Sequence, residues 1–208
     1  MYDYVYRISS DGGLSHQYCY WYADGTSSGE LTVNAITPIP PSIYFSEYIE
    51  GSSNNKALEI YNPFSTPFDL TGCAVRLYSN GSATVSQTLN LTATIAAGDV
   101  YVICNTSSNA AILAACDLTN GSVMVFNGDD AVDLVCGGVT LDVIGQIGVD
   151  PGSEWGTGLT STSDNTLQKK CEVFTDSDGS DVFDPATQWD GFATDTVSDL
   201  GSYTHVCP

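Results

Sequence analysis

The stretch SIYFSEYIEGSSNNKALEIYNP, residues 42–63, sets Glu47, Glu50 and Glu59 into two segments that otherwise alternate like β-strands. Two carboxyl groups facing each other across a cleft could act as general acid and general base in hydrolysis. Strand alternation places Phe45, Glu47 and Ile49 on one face and Tyr44, Ser46 and Tyr48 on the other. In the second segment Leu58 and Ile60 point one way, and Ala57, Glu59 and Tyr61 the other. Glu47 is thus expected on a core-facing side, between two apolar neighbours. A carboxylate buried alone costs several kcal/mol, so it must be hydrogen-bonded or paired. The loop EGSSNNKA supplies N–H donors, and Lys56 and Arg76 are available cations. The expectation is that Glu47 and Glu59 are struts of the fold and not catalytic groups.

Other acids are grouped in turns. TDSDGSD, 175–181, offers Asp176, Asp178 and Asp181 as hard oxygen donors, the candidate Ca²⁺ ligands of this chain. No bidentate glutamate follows to complete an EF-hand loop, and a solvated acidic turn is the favoured expectation. NGDDAVD holds Asp129, Asp130 and Asp133, and Asn-Gly-Asp is a turn whose aspartate caps backbone donors. For nucleophilic catalysis there is no Gly-x-Ser-x-Gly, His16 lies in the N-terminal segment and His205 three residues from the end, and no cysteine neighbours a candidate base. The glycine-rich segment 148–165 lacks a lysine and is no phosphate loop. Its Trp155 is expected to fold onto the edge of the domain rather than bind a sugar ring, and Trp189 is expected in the core.

The formal net charge is −20, from 25 acidic side chains against five basic ones. Phosphate backbones are bound by Lys and Arg that release counterions, so autonomous nucleic-acid binding is not expected. Adhesion to an anionic membrane is disfavoured for the same reason, and no apolar run approaches the ~18 residues of a span. Seven cysteines without CxxC pairs point to disulfides and to an oxidising, extracellular setting, secreted or at the cell surface. MYDYVYRISSDGG lacks the basic and apolar regions of a signal peptide, so the chain is expected to be a piece of a longer polypeptide.

The elements that must carry these residues are almost all strands. Alternation and turn residues predict strands at 43–49, 57–62, 73–79, 86–91, 99–104, 122–126, 131–136, 139–146 and 166–172, with a short one near 202–206. SSNAAILAACD, 107–117, predicts one short helix with a serine cap. Residues 1–34 read as the closing strands of an upstream β module, 35–41 as a proline-rich linker, and 42–208 as the main domain. Phe45, Ile49, Leu58, Ile60, Val75, Leu77, Val100, Val102, Val132 and Leu134 are its predicted core.

Read in order, FSEYIEGSSNNKALEIYNP, DLTGCAVRLYSNG, GDVYVIC, FNGDDAVDLV, LDVIGQIGVDPG and WDGF resemble the lamin-tail domain in its bacterial secreted form, over essentially all of 42–208. The resemblance implies an all-β, immunoglobulin-like antiparallel β-sandwich without a catalytic centre, appended in bacteria to secreted or surface enzymes such as nucleases and phosphatases. The expected partners are other domains of the parent polypeptide and a protein or cell-envelope ligand. The alternative is part of a metal-dependent extracellular hydrolase.

Six cysteines fall in the main domain, allowing 15 pairings. Cys73 shares its face with Val75 and Leu77, and Cys136 with Val132 and Leu134, which predicts a Cys73–Cys136 bridge through the core. Cys104 ends a strand and Cys116 ends the helix that follows, predicting Cys104–Cys116. Cys171 and Cys207 remain as the third pair, and Cys19 is left without a partner inside the main domain.

Overall fold

The computed structural model describes residues 5–8, 17–20, 42–171 and 173–204. The chain divides into two units, Met1–Pro38 and Ile39–Pro208. In the first, β1 (Val5–Ile8) and β2 (Gln17–Tyr20) pair antiparallel, with Tyr6 opposite Cys19. Residues 21–34 of the expected upstream module, the linker 35–41, His16, His205 and Cys207 lie outside the described residues.

The second unit is a sandwich. Its strands are β3 (Tyr44–Glu50), β4 (Lys56–Tyr61), β5 (Phe68–Asp69), β6 (Cys73–Tyr78), β7 (Gln87–Asn90), β8 (Thr94–Ile95), β9 (Val100–Cys104), β10 (Leu118–Thr119), β11 (Ala131–Cys136), β12 (Val139–Ile144), β13 (Gly156–Thr157), β14 (Thr160–Ser161), β15 (Asn165–Lys169) and β16 (Trp189–Phe192). Two short helices, α1 (Ala110–Ala115) and α2 (Pro185–Gln188), interrupt them. One sheet has the order β10-β9-β4-β3-β15-β16 and the other β12-β11-β6-β7. All these neighbours are antiparallel except the two-residue pair β9–β10.

Between the sheets, Phe45, Tyr48, Leu58 and Ile60 meet Val75, Leu77, Val132 and Leu134, all essentially sealed from water. Each such side chain contributes roughly 1.5–3 kcal/mol relative to exposure. Ile49 and Val102 are buried elsewhere: with Ala57, Cys104 and Ile112 they form a second cluster on the outer face of the six-stranded sheet, under α1. Val100 is only partly buried, against that same cluster.

Several expectations are corrected. Residues 122–126 form no strand: the Asn120 side chain accepts from the N–H groups of Ser122 and Val123, and the Asn105 amide donates to the Met124 carbonyl. Val123, Met124 and Phe126 still enter the core from this irregular loop. The helix is shorter than predicted and is capped by Asn109, whose oxygen accepts from Ala111 and Ile112 N–H, because Ser107 and Ser108 lie in the turn before it. α2 and β16 escaped prediction: Asp184 and Pro185 supply cap and first turn, and WDGF then pairs with β15. No strand forms over 202–204.

Cys73 and Cys136 sit directly opposite each other on neighbouring strands of the four-stranded sheet and are bridged, with 3.9 Å between their Cα atoms. The bridge therefore ties β6 to β11 within one sheet instead of crossing the core. Cys104 and Cys116 are also bridged, closing α1 against β9. Cys171 is disulfide-bonded; its expected partner, Cys207, lies outside the described residues.

Candidate functional site

Glu47 does not lie between the sheets. A register shift between Phe45 and Glu47 marks a bulge in β3, where one extra residue reverses the facing of the rest of the strand. Phe45 and Tyr48 both enter the core, Tyr48 stacking on Phe126 at 4.9 Å. Glu47 and Ile49 turn to the outer face, where Glu47 stands directly opposite Glu59 of β4, with Gln168 of β15 on its other side. The two glutamates are thus cross-strand neighbours on a face that strict alternation assigns to Glu59 alone.

This face is roofed by residues 197–203. Val197 and Leu200 pack on the outer cluster, and the Gly201 N–H donates to Glu59 Oε2 at 2.7 Å. Gly201 adopts φ +99°, in the left-handed region where glycine carries no steric cost. The Ser46 hydroxyl, turned outward in the bulge, donates to Glu59 Oε1 at 2.7 Å. Tyr203 sets its ring edge-on against Tyr61 and Tyr44, with centroids 4.9 and 6.1 Å away. Under the roof is a cavity of about 140 Å³, lined among others by Glu47, Gln168, Lys169, Asp190, Asp199 and Ser202.

Glu47 is 2 % exposed and Glu59 0 %. Burial pushes the Glu47 carboxyl up to about 9, helped by the charges of Glu59 and Asp199 and opposed by a hydrogen bond with Gln168. Burial also pushes Glu59 up to about 7, opposed chiefly by the Ser46 and Gly201 bonds. Glu47 Oε1 has no hydrogen-bond partner. The donors expected from EGSSNNKA are engaged elsewhere: Gly51 N–H on the Asn55 carbonyl, and Ser52 N–H on Asp195. The expected cations are engaged too. Lys56 pairs with Glu50, and Arg76 with Asp133, which also accepts from the Tyr78 hydroxyl at 3.1 Å.

A second buried acid belongs to the sandwich interior. Asp142 of β12 accepts from the N–H groups of Phe45 and Asp176 at 2.8 and 2.7 Å, and Lys169 Nζ stands 3.4 Å away. Lys169 lies 4.4 Å over the Trp189 ring, a cation–π contact in a dry setting. Asp142 thereby joins the four-stranded sheet to β3 and β15 of the other.

The acidic loop places its members apart in function. Asp178 accepts from the N–H and hydroxyl of Ser180, and Asp176 from Asp178 N–H and the Gln188 amide. These are self-capped turns. Asp181 is exposed; desolvation by the surrounding loop raises its carboxyl, and the charges of Asp176 and Asp178 add to the rise. Among the described residues no three His, Cys, Asp or Glu side chains are arranged to hold a metal ion. Asp130 caps the N–H groups of Asn80 and Asn127. Trp155 is buried edge-on against Phe183, and Trp189 is fully buried. No helix among the described residues is long and apolar enough to cross a membrane.

Sequence alone missed the roof, because Asp199–Tyr203 lies 140 residues or so from the glutamates it covers, as the Gly201–Glu59 separation of 142 shows. The bulge had a faint signal: Phe45 and Tyr48 are both large and apolar at a spacing no unbroken strand can bury on one side.

No curated protein and no solved structure matches the chain. The model of the lamin tail domain family matches residues 37–148, from before β3 to just beyond β12, while β15 and β16 complete the same six-stranded sheet downstream of the match. With an immunoglobulin-like sandwich in place and more than half of the sequence matched, the chain belongs to the lamin tail domain family.

Proposed function

We propose that this chain is a non-catalytic accessory module of a larger secreted or cell-surface protein, tethering or positioning a partner or an enzyme domain. Its partners would be other domains of the parent polypeptide and a protein or cell-envelope ligand. The observation that carries the reading is the closed state of its only facing acid pair among the described residues. Glu47 and Glu59 lie beneath a roof whose cavity, about 140 Å³, is well below the ~300 Å³ at which ligand pockets begin. Glu59 is committed to the Ser46 hydroxyl and the Gly201 N–H, as a strut of the fold would be. Two disulfides support an oxidising environment.

The raised carboxyls of Glu47 and Glu59 are what would favour the competing reading, a hydrolase. Purified protein assayed against nuclease, phosphatase and glycosidase substrates, with and without added divalent ions, is expected to give no turnover above background. Turnover abolished by Glu47→Gln or Glu59→Gln would replace the module with an enzyme. Sequencing the flanking reading frame tests the other half, since an accessory module requires a further domain on the same polypeptide.

A further inference from the structure

We propose that the Glu47–Glu59 pair is a proton-operated latch for the segment 199–203, which lies closed on the sheet while the pair keeps a proton and lifts when both carboxyls ionise. The inference goes beyond the accessory role and does not depend on it. Its basis is a division of labour between two opposed acids. Glu59 has donors for a negative charge, in Gly201 N–H and Ser46 hydroxyl, each at 2.7 Å. Glu47 has a buried oxygen without a hydrogen-bond partner, and the residue helps line the cavity under the segment. Its neighbours cannot neutralise a second charge. Glu59 faces it from β4, Gln168 and Lys169 from β15, Asp190 from β16, and Asp199 and Tyr203 from the segment itself. The one cation in that set, Lys169, is directed to Asp142 at 3.4 Å and to the Gln188 amide oxygen at 3.2 Å. Among the described residues no third metal-ligating side chain converges, so a proton and not a metal ion is the species that fits.

Ionising the second acid sets two buried like charges side by side, with the charge of Asp199 adding to them. Relief requires water, and the cheapest route to water is the roof. β3 and β4 are interior strands bonded on both sides, whereas the segment is a loop held by Gly201 on Glu59, the Tyr203 hydroxyl on the Lys170 carbonyl, the edge-on contacts of Tyr203 with Tyr44 and Tyr61, and the apolar contacts of Val197 and Leu200. The upward shift of both carboxyls, to about 9 and about 7, agrees with this order of events: Glu59 ionises first and keeps its donors, and Glu47 ionises last.

The test is an NMR titration of the whole chain from about pH 5 to about pH 10, following the Glu47 and Glu59 carboxyl carbons together with the Leu200 methyls and the Tyr203 ring. Glu47 should titrate well above the ordinary ~4.3 of a glutamate, and the Leu200 and Tyr203 signals should move with it. Above that midpoint the closed form should decline about tenfold per pH unit. In Glu47→Gln the segment signals should stay in place through the same range. The latch is overturned by a Glu47 midpoint in the ordinary carboxylate range, by segment signals that stay fixed while Glu47 titrates, or by a Glu47→Gln variant whose segment opens as the parent's does. If that variant does not fold, the coincidence or mismatch of the two midpoints in the unmodified chain decides alone.

Discussion

Asp142 and Glu47 are both carboxyls sealed from water, but the charges around them have opposite sign. Asp142 faces an ammonium and two backbone N–H donors, contributed by three separate segments. Glu47 faces another glutamate and an aspartate. Burial raises both carboxyls; at Asp142 the Lys169 charge and the two N–H bonds oppose the rise, while at Glu47 Glu59 and Asp199 reinforce it. A buried charge with its partner fastens the sandwich, whereas a buried acid without one depends on keeping its proton. The first device is built between sheets. The second is built between a sheet and a loop, where opening is possible.

The largest effect should come from breaking the paired site. Asp142→Ala leaves the Lys169 ammonium buried without its partner and two N–H groups without an acceptor, and should lower stability by about 3–5 kcal/mol in urea unfolding. A loss below about 1 kcal/mol would mean that Lys169 reaches water without disturbing the fold.

Next is the pH dependence of the unpaired site. Because the folded values of Glu47 and Glu59 are raised above 4.5, the native chain binds more protons than the unfolded chain between pH 4.5 and about 9. The stability contributed by the protonated pair is therefore fully present below pH 4.5 and is lost as pH rises through about 7 and then about 9. The decline is limited to the extent that the roof opens and lets water reach the pair. Urea unfolding across this range should show it, and Glu47→Gln should remove most of the slope; a flat profile would make the two acid sites alike.

A smaller change addresses the roof itself. Gly201→Ala has room for its Cβ, the nearest atom being Ala115 Cβ at 3.8 Å, but must hold φ +99°. The strain of roughly 1–2 kcal/mol should loosen the segment and bring the Glu47 midpoint down toward that of a solvated glutamate. An unchanged midpoint would show that the sheet alone, without the roof, keeps water from Glu47.

The smallest effect is expected at the acidic loop, where the Asp178 and Asp176 carboxylates already accept from Ser180, Asp178 N–H and Gln188. Millimolar calcium should leave Tm within about 2 °C of its value without the ion, and a larger rise lost in Asp178→Asn would make 176–181 a binding loop.

Much of this organisation is local and is legible in the sequence. The alternation of CAVRL and VDLV fixes which side chains of β6 and β11 point inward, so the faces of Cys73 and Cys136 follow from two-residue periodicity. The family resemblance rests on blocks of this kind, each a strand with its turn. Sequence could not say that β6 and β11 are neighbours in one sheet, which converts a bridge expected across the core into one along it. The same holds for the acids. That Glu47 and Glu59 need partners is dictated by the cost of burying charge, and composition shows how few cations there are to provide them. The face Glu47 occupies was decided by a bulge whose single extra residue reverses the strand's alternation. Its covering was decided by a loop far away in the chain, brought onto the outer face by the burial of Val197 and Leu200. Periodicity records what each residue needs from its surroundings. Only long-range packing, which chooses among distant segments of similar polarity, decides which of them supplies it.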